Sequence, residues 1–431
     1  MQGKGHIAQE TANLKNEREC VETPAGTTAR DEPVKNNETH GAGPAQSPKY
    51  VDSQPGQPSK RLEYPNTETI TSHHHVGSAN QSPHNSAQPD STSDETRKPD
   101  EPYEEWLDHT NEPLQFIGNG YELTSTLTNL YLTNNRISVI ENLERCVCLR
   151  ELVLRQNTIR KVEGLENLAN LAEIDLYMNQ ISEIPPNSFE SNKKLQKLDL
   201  SFNQLRDISN FPSENLDSLE ELYLISNKIR FISGLHGMPK LVMLELGDNR
   251  IRTIENLEEL TSLQGLWLGR NKITKIQNLE PLTELRRLSI QSNRLTVIEN
   301  LDYLRNLEEL YLSHNGLTSM KGVKNLMNLR VLDLGSNFVE HIEEVENLRL
   351  LKEFWVNGNK LSQFEELSLL RNCEDLETVY LEFNPLASDP NYKKKALDIL
   401  PPSLEQLDAL MVSDVRREIA EQYATPTGDD T

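Results

Sequence analysis

The chain has 431 residues and a formal net charge of −23 at pH 7. This acidity argues against binding to a nucleic-acid backbone, which requires a basic surface. The sequence has no apolar run of about 18 residues, and its start, MQGKGHIAQETANLKNEREC, lacks the apolar centre of a signal peptide, so we expect no membrane contact and a cytosolic or nuclear location with reduced cysteines.

Residues 1–100 have the composition of a disordered N-terminal tail. They contain two Leu, two Ile, no Phe or Trp, and 10 of the 22 prolines. Such a segment cannot bury enough apolar surface to offset the entropy of ordering. The tract His73–His75 could bind a metal ion weakly, but a solvated tract is the reading we favour. The tail holds 10 Lys and Arg against 14 Asp and Glu, so most of the negative charge lies beyond it.

Apolar residues return in residues 101–126, at Trp106, Leu107, Leu114, Phe116 and Ile117. They do not follow the regular pattern that begins afterwards. We therefore predict that residues 101–126 form an N-terminal cap.

Residues 127–386 repeat the frame Leu-x-x-Leu-x-Leu-x-x-Asn-x-Leu/Ile twelve times. The asparagines of the frame are Asn135, Asn157, Asn179, Asn203, Asn227, Asn249, Asn271, Asn293, Asn315, Asn337, Asn359 and Asn384. Eight of the eleven gaps between them are 22 residues. This period is typical of leucine-rich repeats.

Each repeat contains one short strand, because apolar and other residues alternate there. In LQGLWLGRN, Leu263, Leu266 and Leu268 are expected to point inward, while Gly265 and Trp267 lie on the opposite face. The residues that follow are apolar at every third position, which favours an extended or 3₁₀-like return over an α-helix. The frame asparagine is expected to satisfy backbone groups in the turn of the next repeat.

The predicted fold is therefore an α/β solenoid. It is a leucine-rich-repeat horseshoe of twelve mostly 22-residue repeats, with a parallel concave sheet, caps at both ends and the disordered tail in front. Residues 387–420 are predicted to form the C-terminal cap, with a helix that Asp389 caps, Pro390 in its first turn and Pro401-Pro402 after its end. Residues 421–431 form a polar end.

The cysteines have a simple interpretation. Cys146 and Cys373 replace leucine in the threefold pattern and are expected to fill the core. Cys146 and Cys148 as a metal pair would need further ligands, and the sequence offers none nearby.

The third, fifth and seventh frame positions should form the concave face. Ten of these residues are acidic and three are basic. The acidic ones are Glu151, Glu173, Asp175, Asp199, Glu221, Glu245, Glu309, Asp333, Glu353 and Glu382, the basic ones are Arg155, Lys197 and Arg287, and the aromatic ones are Tyr131, Tyr177, Tyr223, Trp267, Tyr311, Trp355 and Tyr380. Exposed aromatics among carboxylates are typical of a protein-binding surface, here for a basic, partly apolar partner. The alternative is that the aromatics serve cross-strand packing and the carboxylates are merely solvated.

Catalysis finds little support in the sequence. His236, His314 and His341 are scattered, and the chain shows no nucleophile elbow or glycine-rich phosphate loop. We expect no enzyme activity, no catalytic residue, no metal site and no cofactor.

Several strings resemble the Sds22-type family of leucine-rich-repeat regulatory subunits of protein phosphatase 1. They are MLELGDNRIRTIENLEELTSLQGLWLGRNKITKIQNLEPLTELRRLSIQSNRLTVIENL, ELYLSHNGL, EFWVNGN and TVYLEFNPLASDPNYKKKALDILP. The resemblance runs from about residue 107 to 412. It implies a non-catalytic subunit in the nucleus and cytoplasm whose concave face binds the catalytic subunit of protein phosphatase 1. It leaves room for further phosphatase inhibitor subunits as partners.

The resemblance also implies which residues contact the phosphatase. They are Asp199, Tyr223, Glu245, Trp267, Asp333, Glu353, Trp355 and Tyr380. All eight belong to the face that the alternation predicts independently. By contrast, Lys228-Ile229-Arg230-Phe231 resembles a short docking peptide of phosphatase partners, but Ile229 is a core position of the repeat.

Two other readings remain open at this stage. One is a ciliary or cytoskeletal leucine-rich-repeat scaffold, which would not need these strings on its concave face. The other is a spliceosomal repeat protein, which the repeat number and the lack of a basic patch disfavour.

Overall fold

A computed structural model of the chain describes residues 104–423. The predicted tail of residues 1–100, with its histidine tract, lies outside this part, as does the polar end beyond residue 423. No helix within residues 104–423 is long and apolar enough to cross a lipid bilayer.

The described residues form one sheet of short strands. The strands are β1 Glu105–Asp108, β2 Leu127–Tyr131, β3 Glu151–Val153, β4 Glu173–Asp175, β5 Lys197–Asp199, β6 Glu221–Tyr223, β7 Met243–Glu245, β8 Gly265–Trp267, β9 Arg287–Ser289, β10 Glu309–Tyr311, β11 Val331–Asp333, β12 Glu353–Trp355, β13 Thr378–Tyr380, β14 Gln406–Leu407 and β15 Leu410–Met411. Each pairs with the next in chain order, in parallel from β1 to β14, and β14 and β15 pair in antiparallel fashion. The predicted solenoid with a parallel sheet is confirmed, and β1 and β14 extend the sheet beyond the twelve frames.

The core runs along the whole solenoid. Leu263, Leu266 and Leu268 are fully buried, as predicted, and their equivalents in the other repeats join one continuous cluster. Each repeat buries its apolar edge against its neighbours, since a 22-residue unit cannot enclose a core by itself.

The returns on the convex side are tight turns. Leu282 donates its N–H to the carbonyl of Leu279 at 3.0 Å, and Leu285 donates to Leu282 at 3.1 Å. These bonds span three residues, as in a 3₁₀-helix. Longer 3₁₀ segments occur at Ser213–Asn215, Phe364–Asn372 and Pro385–Ser388. The predicted 3₁₀-like return is confirmed.

The frame asparagines connect each repeat to the preceding one, not to the next as we predicted. Asn271 accepts the N–H of Ile251 at 3.0 Å and donates to the carbonyl of Leu246 at 2.9 Å, both in the repeat before. It also donates to Leu268 in its own repeat at 3.1 Å. The direction is reversed because the side chain points back across the strand edge. The amide uses both its donor and its acceptor here, which a carboxylate or hydroxyl could not do in the same geometry.

The N-terminal cap supplies a strand as well as apolar residues. Leu114 and Ile117 join the core, while Trp106 remains exposed. The first frame asparagine ties this segment to the solenoid, because Asn135 donates to the carbonyl of His109 at 2.8 Å.

The C-terminal segment differs in detail from the prediction. Helix α1 spans Tyr392–Ile399 and begins after Asn391, not at Asp389. Asp389 instead accepts the N–H of Asn391 at 2.7 Å, which closes a turn ahead of the helix. The helix ends before Pro401, as expected. A second helix, α2, spans Val412–Tyr423 and continues past residue 420, where we placed the end of the cap.

Candidate functional site: the concave face

The frame arranges the concave face in rows that run across the strands. In β8 the central residue, Leu266, is buried in the core, so Gly265 and Trp267 face the other way. The register places Tyr223 beside Glu245 and Glu245 beside Trp267. Neighbouring strands lie about 4.8 Å apart, so side chains of one row contact each other.

Carboxylates crowd together on β4–β7. We call Asp175, Asp199, Glu221 and Glu245 the acidic cluster. Asp175 pairs in register with Asp199, and Asp199 with Tyr223. Arg155 forms an ion pair with Asp175, and its Nη2 lies 3.8 Å from Oδ2 of Asp199.

Lys197 is the second cation beside the acidic cluster. Its Nζ lies 3.5 Å from Oε2 of Glu221. It also lies 5.7 Å from the centre of the Tyr223 ring. Within the described residues, the ion pairs of the cluster therefore reach Asp175, Asp199 and Glu221 but leave Glu245 without a cation.

The crowding changes how these carboxyls titrate. Burial and the charge of Asp199 raise the pKa of Glu245 to about 7. Burial and Asp199 also raise the pKa of Asp175 to about 6, although Arg155 opposes the shift. Glu245 is thus partly protonated near neutral pH, and an approaching cation would favour its charged form.

Tyr223 lies beneath this cluster and not above it. Its side chain is 8% exposed. Its hydroxyl donates to Glu221 Oε2 at 2.9 Å and lies 3.0 Å from the sulfur of Met243. Our expectation of an exposed aromatic at this position was wrong, because long side chains of the adjacent strands cover the ring.

Trp267 owes its orientation to a glycine. An ideal Cβ on Gly265 would lie 2.2 Å from Cζ3 and 2.3 Å from Cη2 of the Trp267 ring. The indole therefore folds back over Gly265, which is itself buried. A side chain on Gly265 would displace the ring.

Three aromatic residues of the face lie on β10–β13. We call Tyr311, Trp355 and Tyr380 the aromatic cluster. Trp355 and Tyr380 meet edge to face, with ring centres 5.8 Å apart. Gln406 of β14 donates to the Tyr380 hydroxyl at 2.7 Å, and Tyr311 donates to Glu309 Oε2 at 3.0 Å. These contacts hold the rings in place before any partner arrives.

Polar groups in the aromatic cluster are incompletely satisfied. The indole N–H of Trp355 is inaccessible to solvent and makes no hydrogen bond of standard geometry within the described residues. Burial and the charges of Glu309 and Glu377 raise the pKa of Glu353, although the Trp355 N–H favours its charged form. A cation close to Glu353 would favour the charged form of this carboxyl.

Asp333 lies on β11, among the strands of the aromatic cluster, with 4% of its surface exposed. It accepts the N–H of Gly335 at 2.9 Å and the side-chain amide of Gln291 at 3.1 Å. Burial raises its pKa. We expected this carboxylate to contact a partner. In the structure it is instead hydrogen-bonded to Gly335 and Gln291 of the fold itself.

The structure thus places all eight predicted residues on one face, in separate groups. Asp199, Tyr223 and Glu245 lie within β5–β7, Trp267 lies on β8, and Asp333, Glu353, Trp355 and Tyr380 lie on β11–β13. Sequence reasoning missed Gly265 as the seat of Trp267 and Gln406 as the support of Tyr380. Gln406 could not be found from the pattern, because β14 contains only Gln406 and Leu407 and the sequence around it does not follow the repeat frame.

Sequence reasoning also missed Asp408 beside the last repeat. Its Oδ1 accepts the N–H groups of Leu381 and Glu382, at 2.7 and 2.9 Å. Tyr392 of α1 donates its hydroxyl to Oδ2 at 2.7 Å. This carboxylate therefore accepts the Leu381 N–H, which at the same position of other repeats goes to a carbonyl of the next strand, as Leu268 N–H goes to Ser289.

Other expectations can be compared directly. Cys146 and Cys373 are fully buried, as predicted, and burial raises the pKa of each thiol to about 11. Ile229 is fully buried while Phe231 is exposed, so this segment is part of the repeat. Within residues 104–423, no group of three or more His, Cys, Asp or Glu side chains could hold a metal ion.

Comparison with known proteins agrees with the repeat frame. The leucine-rich-repeat family model matches residues 148–205 and 193–251. A two-copy leucine-rich-repeat model matches residues 125–167, 239–281, 283–325 and 305–350. Together the matches cover about half of the chain. This chain is a leucine-rich-repeat protein.

Two solved structures have the same fold. An internalin (inlF) from Listeria monocytogenes is 28% identical, with a TM-score of 0.60 over 71% of this leucine-rich-repeat protein and 86% of the internalin chain. YopM from Yersinia enterocolitica is 22% identical, with a TM-score of 0.50 over 67% of this chain and 56% of YopM.

One curated relative shares a short segment. Protein phosphatase 1 regulatory subunit 7 of Danio rerio is 51% identical over 43 residues. The matched segment is 10% of this leucine-rich-repeat protein and spans 12% of the relative's length.

Proposed function

We propose that this leucine-rich-repeat protein is a non-catalytic regulatory subunit that binds the catalytic subunit of protein phosphatase 1. The observation that carries the proposal is the concave face, where the acidic and aromatic clusters lie on one rigid sheet. The short match to a phosphatase regulatory subunit supports the choice of partner.

The chemistry of the face supports a basic, partly apolar partner. Glu245 forms no ion pair among the described residues, and burial together with the charge of Asp199 raises its pKa to about 7. Charged and polar groups that the fold leaves unmatched favour a complex that matches them. The half-buried rings add apolar contact area at little cost in side-chain entropy, because their neighbours already hold them.

Binding by such a surface would regulate the activity, maturation or localisation of the phosphatase. The protein would then act in the nucleus and cytoplasm. The proposed role is non-catalytic, and within residues 104–423 no group of three or more His, Cys, Asp or Glu side chains could hold a catalytic metal ion beside these carboxyls.

The test is isothermal titration calorimetry of the full chain with the purified phosphatase catalytic subunit at pH 8. We expect a complex that Glu245→Gln weakens about tenfold, the scale of one charge contact. Glu280→Gln is the matched control, because Glu280 is an exposed carboxylate on the return between strands. Absence of binding by the unaltered chain would contradict the proposal and favour a scaffold with another partner.

A further inference from the structure

The residue before each frame asparagine has an unusual backbone. At this eighth frame position φ is positive, near 50 to 60° for the non-glycine residues. Most repeats place a polar residue or glycine there: Asn134, Gln156, Ser226, Asp248, Arg270, Ser292, His314, Ser336 and Gly358. Three repeats instead carry a large apolar residue: Met178, Phe202 and Phe383. The left-handed region disfavours bulky side chains, so these three are costly choices for the fold.

Burial does not offset this backbone strain at Met178 and Phe202. Met178 is 50% exposed and Phe202 is 43% exposed. In other repeats the same position forms polar contacts between neighbours, as Ser226 does with Asp248 at 2.7 Å. The apolar side chains of Met178 and Phe202 cannot form such a polar contact.

The two residues belong to one surface patch. The rings of Phe202 and Tyr177 lie with centres 4.9 Å apart, and Arg155 lies 5.1 Å from the centre of the Tyr177 ring. We call Tyr177, Met178 and Phe202 the rim patch, because they lie where β4 and β5 leave the sheet. Backbone bonds hold the rim in place, since Met178 donates to the Ser201 carbonyl at 2.9 Å.

The acidic cluster directly adjoins the rim patch. Asp175 accepts the N–H of Tyr177 at 3.0 Å, and Asp199 accepts the N–H of Ser201, next to Phe202, at 2.8 Å. Apolar surface and carboxylates are thus joined through the same two turns. Glu245, two strands further on, lacks a cation among the described ion pairs.

We propose that the rim patch and the acidic cluster form one docking surface for a protein segment that carries a bulky apolar side chain next to lysine or arginine. Met178 and Phe202 would contact the apolar side chain, and Asp199 and Glu245 would receive the cation. The proposal goes beyond the phosphatase complex in the rim patch, none of whose residues is among the eight positions of that site, while Asp199 and Glu245 belong to both surfaces. A second copy of this chain does not fit, because its own concave face is acidic, and nucleic acid does not fit for the same reason.

The test uses fluorescence anisotropy with two labelled heptapeptides and the full chain at low salt. The first peptide alternates lysine or arginine with leucine and phenylalanine, and the second has serine at every apolar position. We expect the unaltered chain to bind the first peptide about tenfold more tightly than the second. The double variant Met178→Gln, Phe202→Ser should bind both peptides alike, with the affinity of the serine peptide.

The chain offers a matched control in Phe383→Ser, which changes the same residue type at the same frame position. Phe383 lies eight strands from Phe202, about 38 Å away, whereas a heptapeptide reaches about 25 Å. This variant should keep the preference for the apolar peptide. Glutamine and serine already stand at the eighth position in other repeats, so the double variant should melt at the wild-type temperature or above. If the double variant melts at a lower temperature, the single variant Met178→Gln replaces it in the binding test.

Three results would overturn the proposal: no preference in the unaltered chain, a preference that survives in the double variant, or an equal loss in Phe383→Ser. Sedimentation velocity tests whether a second copy of this chain binds the rim patch. A dimer of the unaltered chain that dissociates in the double variant would show that the patch binds a second copy and not a basic partner.

Discussion

The two ends of the concave face place different residue types at the same close spacing. On β4–β7 the face holds a cluster of carboxylates, where burial and then the charge of Asp199 raise the pKa of Glu245 to about 7. On β10–β13 Trp355 and Tyr380 pack edge to face, Tyr380 accepts a hydrogen bond from Gln406, and Tyr311 donates one to Glu309. The same backbone spacing therefore produces a crowded carboxylate cluster at one end and a set of rings held by their neighbours at the other.

The largest expected effect separates the aromatic end from the core beneath it. Trp355→Ala and Trp267→Ala should each weaken phosphatase binding by about 2 kcal/mol, with melting temperatures close to wild type. Leu266→Ala should destabilise the fold by about 2 to 5 kcal/mol, because Leu266 is fully buried. Calorimetry and thermal melts measure both quantities. Tryptophan variants that melt as early as Leu266→Ala yet bind normally would place both rings in the scaffold.

The acidic end should respond to pH in the opposite direction from most carboxylates. Burial holds the pKa of Glu245 at about 7 in the folded protein, against an ordinary value of 4.5. Between these values the folded state keeps a proton that the unfolded state has released, so stability falls as pH rises through this window.

Glu245→Gln removes this loss. The variant should gain about 1 to 2 kcal/mol of unfolding free energy at pH 8, after allowance for residual solvent screening, and nothing at pH 4. Urea denaturation at both pH values measures the difference, with Glu280→Gln as the exposed control. An equal change at both pH values would show that ionisation of Glu245 is not the cause.

A smaller effect should come from the glycine beneath Trp267. Gly265→Ala places a methyl group where the indole now lies, so the ring must move. We expect phosphatase binding to weaken by about 1 kcal/mol, the scale of a misplaced contact, with little change in melting. Gly269→Ala is the control, because the nearest atom to its Cβ is 3.7 Å away. Equal effects of the two substitutions would argue against a specific seat for the ring.

The smallest effect concerns the rate of association. Exposed charges are screened beyond about 8 Å at physiological salt, so association with the phosphatase should slow a few-fold between low and high salt. Asp199→Asn should flatten this dependence, whereas Trp355→Ala should leave its slope unchanged. Stopped-flow measurements over a salt series provide the test. If Trp355→Ala flattens the slope as much, the division of the face into two ends is wrong.

Much of the candidate site could be predicted from the frame alone. Alternation along the strand placed Trp267, Glu245 and Trp355 on the face opposite the leucines, because successive side chains of a strand point to opposite sides. Burial along the face could not be predicted in this way. Tyr223 and Asp333 contact side chains 20 or more positions away in sequence, such as Met243 and Gln291. The pattern within one repeat does not show how long the side chains of the neighbouring repeats are, so it cannot predict this burial.

The sequence by itself determined the solenoid. Its twelve asparagines, each with one donor and one acceptor group, specify a parallel stack of short strands, and its leucines specify the buried side. Only the tertiary structure decided three other features. It showed that Asn271 bonds backward to Leu246, that the Trp267 ring lies on Gly265, and that Glu245 sits among carboxylates and forms no ion pair within residues 104–423. Each depends on distances between strands that are separate in sequence, and these distances are set when the repeats stack.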